Sequence, residues 1–484
     1  MQKDSLKGLE PTRVFKYFED ISSIPHGSGN TKMISDYCVA FAQNHNLEYF
    51  RDELNNVIIV KEASKGREAD EPLIIQGHLD MVCEKAPGCG KDMTAEGLDL
   101  FVDGDLVGAE GTTLGGDDGI AVAMALAILE DEELSHPRLE AVFTVDEETG
   151  MNGAAGIDVS MLKGHIMLNI DSEQEGVFTV SCAGGVVTEC ILPLKREHSE
   201  ASRYKVNLHG LTGGHSGIEI NKGRATSNKL MAVILNKLYE EHPFKLVSVE
   251  GGLKDNAIPA NTVAVIACDE AEEVIRDVIE RVTKPLFVPY KHTDPGMKIS
   301  VERYESQEKV YTQKCTEDAL ELLYSLPEGI QKMSSDVEGL VQTSLNMGIL
   351  KTSEDKMTMS YCVRSSVDEE KHQLVKDMTK TVEAFGGRVC LSGDYNGWKY
   401  RKESLLREVC INTYREMFHS EAAIEAVHAG VECGIFAGKI PNLDCISYGP
   451  NLYEIHTYRE RMSISSVKRV YDMTKMIIKK GVKI

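Results

Sequence analysis

Five short segments hold the residues whose types and spacing suit chemistry. Ile74-Ile75-Gln76-Gly77-His78-Leu79-Asp80 reads as a strand that ends in Gly, His and Asp. Residues two apart on an extended chain point the same way, so His78 and Asp80 can act together, one as a ligand and the other orienting it through the second ring nitrogen. Leu114-Gly115-Gly116-Asp117-Asp118-Gly119-Ile120 is a glycine-rich turn that leads into a helix. Such a turn often cradles phosphate. Here two carboxylates stand where a phosphate would lie, and the same geometry suits Asp117 presented to a cation. The third segment runs from Ala141 to Gly150 and places Asp146, Glu147 and Glu148 at the end of an apolar strand. Neighbouring like charges make each ionisation costlier, unless a cation neutralises the run or water solvates it. Adjacent glutamates can also divide labour, one binding metal while the other stays free as a base. The last two segments are Asp171, which ends the strand-like Ile166 to Ile170, and Glu454-Ile455-His456, which follows the strand-like Cys445 to Tyr448.

Each segment alone has a plainer reading: a strand end with a satisfied His, an acidic N-cap, a solvated charge run, a structural histidine. Their sum is what points to a site. His, Asp and Glu fall at or just after predicted strand ends, the edge where sites assemble in open α/β sheets. Carboxylate and imidazole donors without thiolates suit Zn, Mn or Co with open coordination positions, and catalysis over structure. In the middle of the chain, Thr212-Gly213-Gly214-His215-Ser216-Gly217 resembles a serine nucleophile turn only superficially, because G-x-S-x-G would need glycine where Ile218 stands. The glycines around His215 would let substrate or backbone approach closely. A glycine-rich loop with an incidental His is the plainer alternative.

The elements that must position these residues alternate. Val14 to Asp20, Lys32 to Asn44 and Gly119 to Glu130 read as helices, and Val57 to Lys61, Leu73 to Gln76, Ala141 to Val145 and His165 to Ile170 as strands. This predicts an α/β fold with a central, largely buried sheet. Around Gly184 the character changes to an α+β stretch, and the last ninety or so residues return to α/β style, with helices at Leu405 to Phe418 and Ser465 to Lys479 and strands at Ala423 to Ala426 and Cys445 to Tyr448. The expected division is 1–185 and 395–484 as one interrupted domain, with 186–394 inserted in it.

Composition bounds the function. At 484 residues the chain exceeds one ordinary core. Acidic residues outnumber basic ones by 76 to 53, a net charge of -23, which disfavours nucleic acid as a partner. The longest apolar run, Ile120 to Leu129, is far short of a membrane span of roughly 20 residues. The N-terminal stretch is polar rather than signal-like, and the 12 cysteines form no C-x-x-C pair. A reducing cytoplasm is the expected location.

The order His78-x-Asp80, Gly116-Asp117-Asp118-Gly119, Glu147-Glu148, Asp171 and a late His456 resembles the M20 di-zinc metallopeptidases, and more closely their aminoacyl-histidine dipeptidase branch. Gly214-His215-Ser216-Gly217 and His428-Ala429-Gly430-Val431-Glu432-Cys433-Gly434 strengthen that branch, and the resemblance covers essentially the whole chain. It implies a zinc-peptidase-like catalytic domain, with a central mixed sheet flanked by helices, and an inserted α+β lid through which two subunits pair. It implies two Zn2+ per subunit, replaceable by Mn2+ or Co2+. His78, Asp117 and Asp171 would hold one ion, and Asp117, Glu148 and His456 the other, with Asp117 as the bridge. Asp80 would orient His78, and Glu147 would be the general acid/base. The bond after the bridging Asp is often cis in this family, here Asp117-Asp118. His215 would stabilise the oxyanion, from its own lid or from that of the partner subunit. Arg364, in Tyr361-Cys362-Val363-Arg364, would bind the substrate carboxylate, with Asn256 and Gly430 close to substrate. The implied reaction is hydrolysis of dipeptides, including Xaa-His, by a hydroxide bridging the two metals. The alternatives are another amidohydrolase of the same family, an N-acyl amino acid deacylase or carboxypeptidase, and a non-catalytic metal- or peptide-binding relic of the fold. A nucleotide site at Gly115-Gly116 fits least, given the acidic residues there.

Overall fold

The computed structural model describes residues 4–482. The chain divides into two compact units, one made of Met1–Cys182, Tyr400–Ala426 and Val431–Ile484, the other of Ala183–Lys399 and Val427–Gly430.

The first unit is built on an eight-stranded mixed sheet. Its strands run, in spatial order, Glu48–Arg51, Val57–Lys61, Leu139–Thr144, Leu73–His78, Ile166–Asn169, Asp444–Ser447, Val177–Cys182 and Ala423–Val427. The middle is parallel: Leu73–His78 pairs in parallel with both Leu139–Thr144 and Ile166–Asn169, and Asp444–Ser447 with Ile166–Asn169. Leu73–His78 and Leu139–Thr144 are buried at every position, as parallel strands covered on both faces must be. Helices Thr12–Ser22, Gly116–Glu130, Leu405–Phe418 and Ile464–Lys480 share one apolar core with this sheet. Gly116–Glu130 is apolar on all sides, and every residue from Asp118 to Leu129 is buried. Gly119 gives it close approach to Phe18 and Ile21 of the first helix. Helical dihedrals begin only after Asp118, and the Asp117–Asp118 peptide bond is cis. A smaller four-stranded sheet, in the order Leu452–Tyr453, Arg461–Ser463, Leu106–Ala109, Leu100–Asp103, brings the loop carrying His456 beside the chain that enters the glycine-rich turn.

The second unit is a nine-stranded antiparallel sheet whose longest strands are Val341–Thr352, Lys356–Ser365 and Gly184–Pro193. Burial alternates along Ser202–His209, where Tyr204, Val206 and Leu208 point into the core. Helices Ser227–Glu241, Glu272–Leu286, Gln313–Ser325 and Asp368–Ala384 contribute to the same apolar cluster. All twelve cysteines are free thiols. Among the described residues no helix is long and apolar enough to cross a membrane.

Candidate active site

In the first unit the parallel strands Ile166–Asn169, Leu73–His78 and Leu139–Thr144 lie side by side. The chain leaving their C-terminal ends carries Asp171, then His78 with Asp80, then Glu147 with Glu148. His78 is 1% exposed. Its Nδ1 lies 3.0 Å from the main-chain oxygen of Asp80 and 3.6 Å from that residue's carboxylate, so the backbone carbonyl orients the ring first and the carboxylate second. Its Nε2 faces Asp117 Oδ1 at 3.2 Å and Asp171 Oδ1 at 3.6 Å. His456 Nε2 lies 3.1 Å from Asp117 Oδ2 and 3.0 Å from Glu148 Oε1. Asp117 therefore sets one oxygen before each imidazole.

Three groups among the described residues bring ligand atoms within 4.8 Å of one another: His78, Asp118 and Asp171; His78, Glu147 and Glu148; Asp117, Glu148 and His456. Asp118 appears where the sequence reading placed Asp117. Its Oδ2, however, accepts the main-chain N–H of His78 at 3.1 Å, and burial beside Asp171 pushes its carboxyl well above the usual range. Engaged by backbone, it is the poorer ligand of the two. Gly77 makes that contact feasible, since a Cβ there would lie 2.6 Å from Asp118 Oδ2.

Asp80 organises the neighbouring loop. Ser28 Oγ donates to its Oδ2 at 2.7 Å, and the main-chain N–H groups of Glu147 and Glu148 donate to its carboxylate at 3.0 and 3.4 Å. Gly29 N–H donates to Asp146 at 2.6 Å, fixing the same loop from the other side. Burial, with Asp171 and Glu432 nearby, pushes the Glu147 carboxyl well above its ordinary range against the pull of His78. A carboxyl so placed suits a group that takes up and releases a proton.

Beneath these residues runs a buried polar chain that the sequence reading missed. Asn169 Nδ2 donates to Gln76 Oε1, and Gln76 Nε2 donates to Glu432 Oε2, both at 2.5 Å. Thr144 Oγ1 donates to the same Glu432 oxygen at 2.7 Å. Glu432, the first residue of the helix Glu432–Lys439, thus ties together the three strands that present the site. Burial raises its carboxyl to about 7. The available signal was period two: Gln76 and Asn169 sit two residues before His78 and Asp171, on the same strand faces.

The donor set fits a divalent cation. Among the described residues the only ion-pair partners of Asp80, Asp117, Glu148 and Asp171 are His78 and His456. Several carboxylates therefore converge on two imidazoles with no lysine or arginine to offset them, and without thiolates the set suits Zn2+, Mn2+ or Co2+.

The four residues expected near substrate all lie in the second unit, and three of them lie close to a second cluster. Gly214–His215 pairs with Ala257–Ile258, which places His215 beside Asn256; Asn256 accepts the Ser216 N–H on its main-chain oxygen at 2.9 Å. Arg364 stands opposite Ser344 and opposite Gly185 on adjacent strands. It is 5% exposed; its Nη1 donates to Tyr395 Oη at 3.1 Å, while its Nε has no hydrogen-bond partner among the described residues. Ser344 Oγ is hydrogen-bonded to His428 Nε2 at 2.7 Å, two residues before Gly430. Burial and the Arg364 charge lower His428 to about 3, and the same two causes lower His215. Both histidines are thus disfavoured as cations beside a buried guanidinium, an arrangement that favours an anionic ligand. Ser344 and Tyr395 lay outside the sequence reading, which quoted His428 only as part of a motif.

Residues 206–293 match the family model described as a peptidase dimerisation domain of the M20 type. The chain is 32% identical over 477 residues to the cytosol non-specific dipeptidase of Escherichia coli (strain K12), covering 98% of each protein. Its fold superposes on the crystal structure of aminoacylhistidine dipeptidase from Vibrio alginolyticus with a TM-score of 0.93, at 32% identity and 98% coverage of both chains. An aminopeptidase from Bacillus cereus ATCC 10987 shares the fold at 15% identity and a TM-score of 0.57. With identity of that extent along its whole length, the chain belongs to the M20 family of metallopeptidases.

Proposed function

We propose that the protein is a di-zinc dipeptidase, with His78, Asp117 and Asp171 holding one ion and Asp117, Glu148 and His456 the other. The observation that carries this reading is Asp117: its two oxygens lie 3.2 and 3.1 Å from imidazole nitrogens that come from opposite parts of the chain. A carboxylate so divided suits the bridge between two metals. Bound there, the ions would supply Lewis-acid polarisation of the scissile carbonyl and a lowered pKa for water. Glu147 takes the proton from the attacking water and passes it to the leaving amine. Asp80 holds the amides of Glu147 and Glu148, and so places base and ligand together. Arg364 receives the free carboxylate of the dipeptide, with Asn256 and Gly430 beside it, and His215 donates to the developing oxyanion. In this reading the second unit is a lid and, as its match to a dimerisation domain supports, the surface through which two subunits pair. Xaa-His dipeptides belong to the proposed substrate class, as the name of the Vibrio relative suggests.

The test is a panel of dipeptides, tripeptides and N-acyl amino acids, given to protein stripped with chelator and reconstituted with Zn2+, Mn2+ or Co2+. Preferred cleavage of dipeptides supports the reading, and preferred cleavage of N-acyl amino acids replaces it with a deacylase. Glu147→Ala should retain its metals and lose turnover by about 100-fold or more. Full activity in that variant removes Glu147 from the proton-transfer role.

A further inference from the structure

The glycine-rich turn before the helix Gly116–Glu130 does hold an anion, and the anion is the protein's own. Glu460 is 2% exposed. Its Oε2 accepts the main-chain N–H groups of Leu114 at 2.8 Å and Gly115 at 3.1 Å. Its Oε1 accepts those of Gly116 at 2.8 Å and Asp117 at 3.4 Å. Consecutive amides aimed at one carboxylate form a nest of the kind that elsewhere binds phosphate. Two glycines make the nest possible. Gly115 has φ 67°, in the left-handed region, and a Cβ on Gly116 would stand 3.2 Å from Glu460 Oε1.

The clamp joins two distant parts of the chain. One of the amides belongs to Asp117 itself, 343 residues from Glu460. Glu460 lies in the same loop as His456, between the strands Leu452–Tyr453 and Arg461–Ser463. His456 is half exposed, with 45% of its side-chain surface open, and its Nε2 faces Asp117 and Glu148. The buried end of its loop is Glu460. One carboxylate thus anchors both the main chain at Asp117 and the buried end of the loop that carries His456.

We propose that Glu460 is a positioning residue of the metal site: by holding both backbones it fixes the separation of Asp117 and His456, and so sets metal affinity without contacting metal. The inference rests on the metal reading given above.

The experiment compares full-length wild type with Glu460→Gln, Glu460→Asp and Glu140→Gln. Gln keeps the size but turns an NH2 group against two of the amides. Glu140 is a control: it is buried in the same unit and also accepts main-chain N–H groups, those of Lys163 and Gly164, at 3.0 Å. Zn2+ affinity is read by competition with a chromophoric chelator, the site's geometry by the Co2+ absorption spectrum, and folding by thermal unfolding of the metal-free protein. Glu460→Gln should stay folded, weaken at least one metal equivalent by about 10- to 100-fold and alter the Co2+ spectrum. Glu460→Asp, which keeps the charge, should fall between it and wild type, and Glu140→Gln should bind metal as wild type does. Wild-type affinity and spectrum in Glu460→Gln overturn the proposal, as does an equal loss in Glu140→Gln. Should Glu460→Gln not fold, unchanged affinity in folded Glu460→Asp overturns it. Wild-type protein that binds no divalent metal overturns the metal reading itself, and this inference with it.

Discussion

Replacing Asp80 by Asn tests whether the second carboxylate of the His78 segment acts through position and charge. In the wild type, Oδ2 receives Ser28 Oγ at 2.7 Å and Glu148 N–H at 3.4 Å, while Oδ1 receives Glu147 N–H at 3.0 Å and lies 3.6 Å from His78 Nδ1. Every one of these partners can donate. An asparagine offers one oxygen, so whichever way it turns, its NH2 group meets a donor on the other side. With its oxygen toward Ser28, it loses the amide of Glu147; with its oxygen toward Glu147, it loses the amide of Glu148, while Ser28 Oγ can turn to accept from the NH2 group. A hydrogen bond to a charged acceptor contributes about 1.5–3 kcal/mol, and loss of one such contact corresponds to a factor of about 10 to 150. The loss should fall on kcat more than on KM, because the displaced groups are the proposed proton carrier and a proposed metal ligand rather than the residues proposed to hold substrate. The assay is steady-state hydrolysis of a dipeptide at saturating metal, with metal content measured on the same sample. Asp80→Asn with full metal content and wild-type kcat would refute the reasoning, since neither the charge nor the hydrogen bonds of Asp80 would then matter to turnover.

Other outcomes follow from the same geometry. Arg364→Ala should raise KM for dipeptides with a free carboxylate by about 10- to 150-fold, the worth of one charge-assisted hydrogen bond, and leave hydrolysis of the amidated dipeptides little changed; parallel kinetics on the two substrate sets check this. Gly77→Ala should lower the melting temperature of the metal-free protein, because the new Cβ would lie 2.6 Å from Asp118 Oδ2 and 2.8 Å from Ala121 Cβ, and overpacking of this kind costs about 1–3 kcal/mol. Burial pushes the Glu328 carboxyl up to about 8 from an ordinary 4.5. The folded protein thus resists ionisation that the unfolded chain accepts, so this group's contribution to stability is full below about 4.5 and is lost as pH rises through about 8. Glu328→Gln does not titrate, and its melting-temperature advantage over wild type should grow across that window and then level off; melting curves at stepped pH measure it.

Much of this was legible before the structure. Lys32 to Asn44, Val57 to Lys61 and Leu405 to Phe418 were read with the bounds they have in the fold, because each is a run of strong local preference with clear punctuation. His78, Asp117, Glu148 and His456 were legible because their side chains are chemically conspicuous at strand ends, and the structure brings them together. Glu460 was not, since nothing local in Tyr458-Arg459-Glu460-Arg461 reveals that one of its members is buried. The glycine turn misled in a related way. In sequence Asp117 and Asp118 argue against an anion there, whereas the amides of the turn, that of Asp117 included, donate to Glu460. Glu432 was visible only as part of a motif. Its partners Gln76 and Thr144 are 356 and 288 residues away, and contacts at that range leave no periodic trace.

The strand Asp444–Ser447 lies between Ile166–Asn169 and Val177–Cys182, segments translated more than 250 residues earlier. During synthesis the gap between those two strands stays open, with unpaired backbone on both sides, until the ribosome has passed through the whole of the second unit. Open strand edges recruit other chains. The nascent chain is therefore most open to pairing with other chains in the interval before that one short strand emerges. A chain broken off within this interval lacks His456 and Glu460 as well as the strand, so shortened products combine loss of chemistry with exposed sheet edges.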